Sequence, residues 1–515
     1  MLARIRASIH QPALDRLALL GLVLLAAALR FVDLPTRGTW DADQGHDMLV
    51  LRAIVRSGEL PLLGPPTSIG DFHHGALYYY LLAPAAALSG ADPLGVVAAI
   101  ALAGVAAVAA TWWLARSIGG SLAGAIAGLL MAASASAVDE STFIWNPNLI
   151  ALSSSIALAA AWRAWSGGRA RWWVVAGLGV IVTMHCHVLG TVLLPPVLGF
   201  LIADIRRRPR GPERSARVRA GLLAAVLLGL SYLPLAVHEL SADFSETRAA
   251  IGFITGGGEP SSTALPVRIL IVGLRVLAWP LTGLVTEAPI AALLAASLVV
   301  AFAIWRARAG DGQERTAARW FAATLAWTIV ALTLAASGLA TVIPGLPNDH
   351  YHAFADPVVF VIVGLGVAAL ARWRPAGVQA PLGLAAAGAL VALLVVFNLS
   401  RQPPAQAADG GWPAAQAAAA RVLAAGDGAI SLQSLPTFKS GDALRFPLER
   451  AGAMVVMAGA PGDTLTPRHV VMCDSLFEAA IGAACGGPAE DALAGDRVLL
   501  DRFEAAPGRW VSIYR

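Results

Sequence analysis

Lysine is almost missing from this chain: of its 37 basic residues only Lys439 is not an arginine, and charged residues make up just 14% of the 515. Three cysteines are too few for a disulfide scaffold. Internal repeats are lacking, and no small-residue cleavage site follows the first apolar run, which therefore reads as an anchor and not as a cleaved signal. What is abundant is apolar: 57% of residues are hydrophobic and the mean hydropathy is +0.67. A water-soluble core cannot take up that much apolar surface, so the expected class is a polytopic α-helical membrane protein. The net charge of +4 comes from arginine clusters set between apolar runs. That is the pattern of cytoplasmic loops and not of nucleic-acid binding.

Arg4, Arg6 and Arg16 place the start of the chain inside, so residues 13–33 cross outward. Residues 75–90 are short of the roughly 20 needed to span a bilayer and carry Pro84. They read as a surface or half-inserted helix, with a plain second span as the alternative. Spans follow at 94–115, 120–137 and 148–165, then a pair within 172–204 broken near His187 and Gly190. The arginine-rich stretch 205–219 is the strongest cytoplasmic marker, and 220–237 returns outward. An outside loop, 238–265, ends in GGGEPSS. The run 266–284 carries Arg268 and Arg275 on one helical face and reads as another surface-lying helix. Spans at 289–305, 320–340, 354–371 and 380–397 complete about eleven by this count. An odd number puts the tail outside.

The expected division is a membrane domain over 1–399, a proline- and alanine-rich linker over 400–412, and a small extracytoplasmic α/β domain over 413–515. In the last, 414–424 reads as a helix, and AISLQS, MVVMAG, RHVVMCD, RVLLDRF and WVSIYR as strands or short apolar runs. An outside location allows a disulfide between Cys473 and Cys485; two free thiols are the alternative.

The stretch 40–65 organises the rest. It sets Asp41, Asp43, His46 and Asp47 just outside the first span, then turns helical with Met48, Leu51, Ile54 and Val55 on an apolar stripe. Further polar residues fall on the same side, among them His73, His74, Asp139, Glu140, Asn146, His187, His350, Tyr351 and His352. Polar groups gathered at one membrane surface make a cavity that takes a lipid-linked substrate from the side. Asp43 has two readings, a base or charge stabiliser at a sugar carbon, or a helix N-cap. His73 and His74 either face a phosphate or sit as satisfied histidines in an interfacial aromatic belt with the tyrosines after them. His185 and His187, two apart, do not share a helical face, so a metal pair is a weak reading. For His350, Tyr351 and His352, substrate binding and a solvated loop are both open.

These residues resemble the membrane-embedded GT-C glycosyltransferases, which include protein O-mannosyltransferases, lipid A aminoarabinose transferases and rhizobial lipopolysaccharide galacturonosyltransferases. That family's first outside loop carries an Asp-Glu pair, an arginine nine residues after the aspartate, and then a glycine before a proline-containing turn; Asp43, Gln44, Arg52 and Gly58 stand in those places. The likeness continues through HHGALYYYLLAPAAALSG, FIWNPNLIAL and HCHVLGTVLLPP, over roughly residues 10–400, and leaves out the tail. Gln44 departs from the usual glutamate. An aspartate common where Asn146 or Asn148 falls is either replaced or supplied by Asp139 or Glu140, and Asp41 is a further candidate for that second acid or acceptor contact.

The resemblance implies an inverting transfer from a polyprenyl-phosphate sugar to a lipid, glycan or protein hydroxyl, at the outer face of a bacterial cytoplasmic membrane. Asp43 would deprotonate the acceptor. Arg52, His73, His74, His187, Arg248, Arg268, Arg275, His350, Tyr351 and His352 would supply donor phosphate or sugar contacts. The family generally needs no metal, and the sequence leaves a divalent ion open. Two other classes fit the same spans: a flippase of lipid-linked saccharide, which would set ionisable groups at the midplane of several spans, and an inactive scaffold.

Overall fold

The computed structural model describes residues 2–67, 70–256, 263–340, 349–374, 381–437, 441–458 and 466–515. The first apolar run forms α1 (Leu2–Phe31), stopped where Asp33 turns left-handed before the short α2 (Leu34–Arg37). Next, α3 (Ala42–Ser57) starts in a capping box: Asp41 accepts from the helix's first amides, and Gln44 accepts from the Asp41 amide. Gly58, at φ 68°, ends it. A short ladder follows, with His74 paired to Gly64 and Pro65, and leads into α4 (Leu77–Ser89), which carries Pro84 and is too short to cross.

Helices α5 (Pro93–Gly119) and α6 (Ser121–Ala133) form a hairpin turned at Gly120, and α7 (Ala135–Asp139) follows. α8 (Ile150–Trp165) packs on α9 (Arg171–Cys186). A 3-10 turn, Val188–Leu193, separates α9 from α10 (Leu194–Arg207), at the break expected near His187. Then come α11 (Pro212–Ser231), α12 (Leu233–Ser241), bent by 40° from it, and α13 (Ser245–Thr255). The membrane part closes with α14 (Leu265–Thr282), α15 (Pro289–Ala309), α16 (Gly312–Ala335), α17 (Asp356–Arg372) and α18 (Leu382–Leu399). α17 is buried on nearly every side and packs against α5, α6, α14, α15 and α18, so it is the axis of the bundle.

Several expectations change. Among the described residues seven helices are long and apolar enough to cross a membrane, or eight if α11 and α12 form one bent span. Reaching eleven requires counting shorter helices such as α6 and α9. The run 266–284 is α14, packed between α15, α16 and α17 instead of lying on the surface; Arg275 is 1% exposed and donates to the Leu339 carbonyl at 2.7 Å. That bond lets a charged side chain sit inside an apolar helix face. The stretch 205–219 is helical at both ends, since each end satisfies its amides in a helix, and only residues 208–211 connect α10 to α11. The stretch expected outside, 238–265, holds α12's end and α13; of its terminal GGGEPSS, residues 257–262 lie outside those described.

The tail folds as α19 (Gly411–Ala424), β1 (Ile430–Leu435), α20 (Asp442–Arg450), β2 (Val455–Met457), β3 (Arg468–Asp474), α21 (Glu478–Ile481), α22 (Pro488–Ala494), β4 (Leu499–Ala506) and β5 (Arg509–Tyr514). The sheet order is β2-β1-β3-β5-β4, with β1 parallel to both neighbours and β5 antiparallel to its own. β1 and β3 are buried along almost their whole length, as strands covered on both faces are. A disulfide joins Cys473 to Cys485, with Cα atoms 5.7 Å apart. α20 is absent from the sequence reading because Pro447 argues against a helix. Leu444, Phe446 and Leu448 are buried all the same, on both sides of the helix.

One contact fixes where this sheet sits. α20 lies against α3, and Gly45 is the point of closest approach: a Cβ there would stand 2.1 Å from the Asp442 carbonyl oxygen. Around it, Trp40 donates to the Ala443 carbonyl at 2.8 Å and packs on Trp412 and Phe446; His46 meets Asp442 at 3.1 Å; Arg52 grips Glu449; and Arg509 of β5 reaches Asp41 at 2.7 Å. The tail therefore shares a side with Asp43.

Candidate active site

The capping box decides what each acid of the first loop can do. Asp41, and not Asp43, is the N-cap; its carboxylate also holds Arg509. Asp43 lies one step further, in the first helical turn, with an exposed side chain. Asp47, one turn on, is 2% exposed and accepts from Tyr78 at 2.7 Å and Tyr79 at 2.8 Å. Burial pushes its carboxyl up to about 7, against the pull of the two phenols. Three aspartates within seven residues thus have three roles set by environment: cap, exposed acid, buried anchor.

Gln44 is a two-ended tie. Its carbonyl oxygen accepts from the Asp41 amide and its amide nitrogen donates to the Ile144 carbonyl at 2.8 Å. An ionised glutamate would set a carboxylate against that carbonyl, which accounts for the amide here. Gly38 brings the same two loops together, backbone against the Thr142 carbonyl. Asn146 donates to the Cys186 carbonyl and Asn148 to the Phe143 carbonyl, again bonds a carboxylate could not make. Among the acids left on this second loop, Asp139 stays open to solvent although protein surrounds it, and that surrounding pushes its carboxyl up to about 6 while Arg37 pulls it down. Glu140 is half-buried beside it.

The ladder before α4 and the break after α9 bring histidines together. His74 and His187 have ring centres 4.8 Å apart; His187 lies 5.3 Å from His350 and 5.1 Å from Tyr351; Trp145 covers His350 at 4.3 Å. All four of these imidazole and phenol groups are buried. His74 accepts from the Val188 amide and His187 from the Leu189 amide, each at Nδ1. Each neutral ring therefore carries its proton on Nε2, ready to donate. Burial holds His74 well below the usual imidazole range, helped by the neighbouring His187 and His73. Asp43 connects to this cluster through α3: Asp47 bonds Tyr78 of α4, and Gln44 bonds Ile144, next to Trp145.

The remaining predicted residues lie elsewhere or serve locally. His73 bonds Glu246 of α13 through its amide and ring. Arg248 pairs with Asp243 on the exposed surface. Arg52 is engaged by α20 and His352 meets Asp356 at 3.3 Å. Arg268 is half-buried on α14, two turns from Arg275. The sequence reading missed Asp47, Tyr78 and Tyr79 as a unit; an acid on α3's apolar stripe beside two consecutive tyrosines was the available signal. Among the described residues, Cys473, Cys485 and Glu490 alone are grouped closely enough for a metal, and the two cysteines are joined in a disulfide.

Asp47 sets a pH dependence. Its folded pKa of about 7 lies above the unfolded value of about 3.9. The stabilising protonated form is fully present below about pH 4 and is lost as pH rises toward 7. The wild-type melting temperature should therefore fall across that window more steeply than that of Asp47→Asn, which keeps one acceptor for a tyrosine. Equal slopes in a melting series would assign the titration elsewhere.

A family model described as dolichyl-phosphate-mannose-protein mannosyltransferase matches residues 73–233. No curated protein sequence matches the chain. Among solved structures, ArnT from Cupriavidus metallidurans in the apo state is 14% identical with a TM-score of 0.63, covering 96% of this chain and 97% of that one. The same protein bound to undecaprenyl phosphate gives 13% identity over the same shares, also at 0.63. The Archaeoglobus fulgidus oligosaccharyltransferase, in complex with Zn and sulfate, is 14% identical at 0.53, covering 94% of this chain and 71% of that one. The chain has an ArnT-like GT-C membrane fold, as the sequence resemblance implied, with a small C-terminal mixed sheet, as the apolar runs of the tail implied.

Proposed function

We propose that this protein is an inverting glycosyltransferase that moves a sugar from a polyprenyl-phosphate carrier to an acceptor hydroxyl, at the outer face of a bacterial cytoplasmic membrane. The observation that carries the reading is the division among the loop acids: Asp41 caps, Asp47 is locked under two tyrosines, and Asp43 is the one exposed in α3's first turn. It is fixed there from two sides, by Gln44 on the second loop and by α20 behind Gly45.

In this reading Asp43 takes the proton of the acceptor O–H as the new bond to sugar C1 forms. The C1–O bond to phosphate breaks on the opposite face, and the polyprenyl phosphate leaves as an anion. His74, His187 and His350, with Tyr351, offer donors for the phosphate oxygens inside a cluster roofed by Trp145, where low dielectric strengthens each bond. The shared fold of ArnT, whose structure holds undecaprenyl phosphate, supports this class of donor. The buried charges argue against a flippase. Arg30, Asp204, Arg306 and Glu314 lie within the end turns of their helices; Arg275 and Asp15, the latter in the middle of α1 and paired with Arg116, are exceptions.

The test is transfer from a panel of radiolabelled polyprenyl-phosphate sugars by the purified protein. Label should move from one donor class, and His187→Ala should raise the KM for that donor roughly tenfold or more, the value of a hydrogen bond to a charged group. Absence of transfer from every donor, with lipid-linked sugar crossing liposomes instead, would replace the enzyme with a flippase.

A further inference from the structure

At the opposite end of α9, about 24 Å of helix away from His187, the turns joining α8 to α9 and α10 to α11 meet the start of α16 around a cavity of about 450 Å³. It is lined by Trp165, Ser166, Gly167, Arg207, Arg208 and Gln313, with Pro209. Three guanidiniums converge beside it on one fully buried carboxylate: Asp204 accepts from Arg207 at 2.8 Å, Arg208 at 3.3 Å and Arg217 at 2.7 Å, and from the Trp173 indole at 3.0 Å. One carboxylate cannot neutralise three guanidiniums. Glu213, the other acid in reach of Arg208, is 69% exposed and so screened by water.

The cluster is built rather than incidental. Arg207 lies over the Trp165 ring, 3.6 Å from its centre, and donates to the Trp165 carbonyl. Trp165 in turn stacks on Phe200 at 4.4 Å, and Phe200 on Trp320 at 4.1 Å, a rigid aromatic floor. Nη1 of Arg207 and Nη2 of Arg208 have no hydrogen-bond partner among the described residues. Below, toward the middle of α10, Leu198 and Ile202 are exposed on one helical face. Fixed cationic donors above an outward apolar face are complementary to an anionic headgroup above acyl chains.

We infer that this cavity binds a phosphate-bearing anion, the phosphodiester headgroup of an anionic phospholipid, at the membrane face opposite Asp43. The chemistry is two-pronged: guanidinium donors take the phosphate oxygens, and Gln313 with Ser166 offers polar contacts to the headgroup alcohol. The site is independent of the donor phosphate and of the reaction proposed above.

The test is native mass spectrometry of the full chain from vesicles of equal phosphatidylglycerol and phosphatidylcholine. Phosphatidylglycerol should be retained about tenfold over phosphatidylcholine. Because Arg207 and Arg208 also hold Asp204, the informative variants are at exposed Gln313: Gln313→Glu should lower retention roughly fivefold and Gln313→Arg should raise it. Equal retention of both lipids, or no response to either Gln313 variant, overturns the site. Displacement of the lipid by an equal concentration of glycerol 3-phosphate would overturn the lipid assignment and leave a soluble phosphate as the ligand.

Discussion

Asp43→Asn should lower the rate of sugar transfer by about two to four orders of magnitude with little change in melting temperature, the range expected for losing a general base. The structural half of this outcome follows from the cap. Asp41, not Asp43, closes α3, and Asp43 is exposed, so its replacement removes a charge and little packing. Asn keeps the size of the side chain and cannot accept the acceptor's proton. Transfer by the variant at the wild-type rate would make Asp43 a charge at a helix start and turn attention to Asp139, open to solvent on the second loop. A large fall in melting temperature would instead mean that the fold uses Asp43.

Gly45→Ala should destabilise the protein, which reverses the usual sign. In an exposed helix the same change gains up to about 1 kcal/mol, because alanine restricts the unfolded chain. At Gly45 the new Cβ would lie 2.1 Å from one backbone atom and 2.3 Å from another on α20, neither of which yields as a flexible side chain would. Overpacking of this kind costs about 1–3 kcal/mol, and Gly45→Leu should exceed it. Melting curves give the sign. Protease sensitivity within 400–410 gives the location, since separation of α20 from α3 frees the connection to the sheet. Transfer should fall as well, because Asp43 lies two residues from the contact. A rise in melting temperature for Gly45→Ala would mean that the two helices do not meet there.

The membrane part was legible wherever one physical rule dominated. Pro84 and the short run around it gave a helix too brief to cross, and His187 and Gly190 gave the break between α9 and α10. The five apolar runs of the tail became its five strands. Charge misled at α14. A rule that places arginine at membrane surfaces has no knowledge of a carbonyl such as that of Leu339, which satisfies Arg275 within the bundle. In the site, residue identities carried the first loop, but the assignment of roles among Asp41, Asp43 and Asp47 depended on partners far away in sequence. Arg509 and the α4 tyrosines make the difference, and which acid each of them engages is not encoded locally. α20 was hidden for the same reason: its helix is stabilised by burial against α3 and not by its own propensity.

The contact between α3 and α20 also has a history in time. Trp40 and Ala443, bonded in the folded protein, are 403 positions apart in the chain. At typical synthesis rates of roughly 5–20 residues per second, a ribosome needs about 20–80 seconds between making one and making the other. For that interval the helix bearing Asp43 has been made while the surface that backs it has not. A nascent or truncated chain that stops before α20 therefore carries the acid without this support. Completion of this contact is late in synthesis, and a stop codon between α18 and α20 leaves Asp43 without the surface that backs its helix.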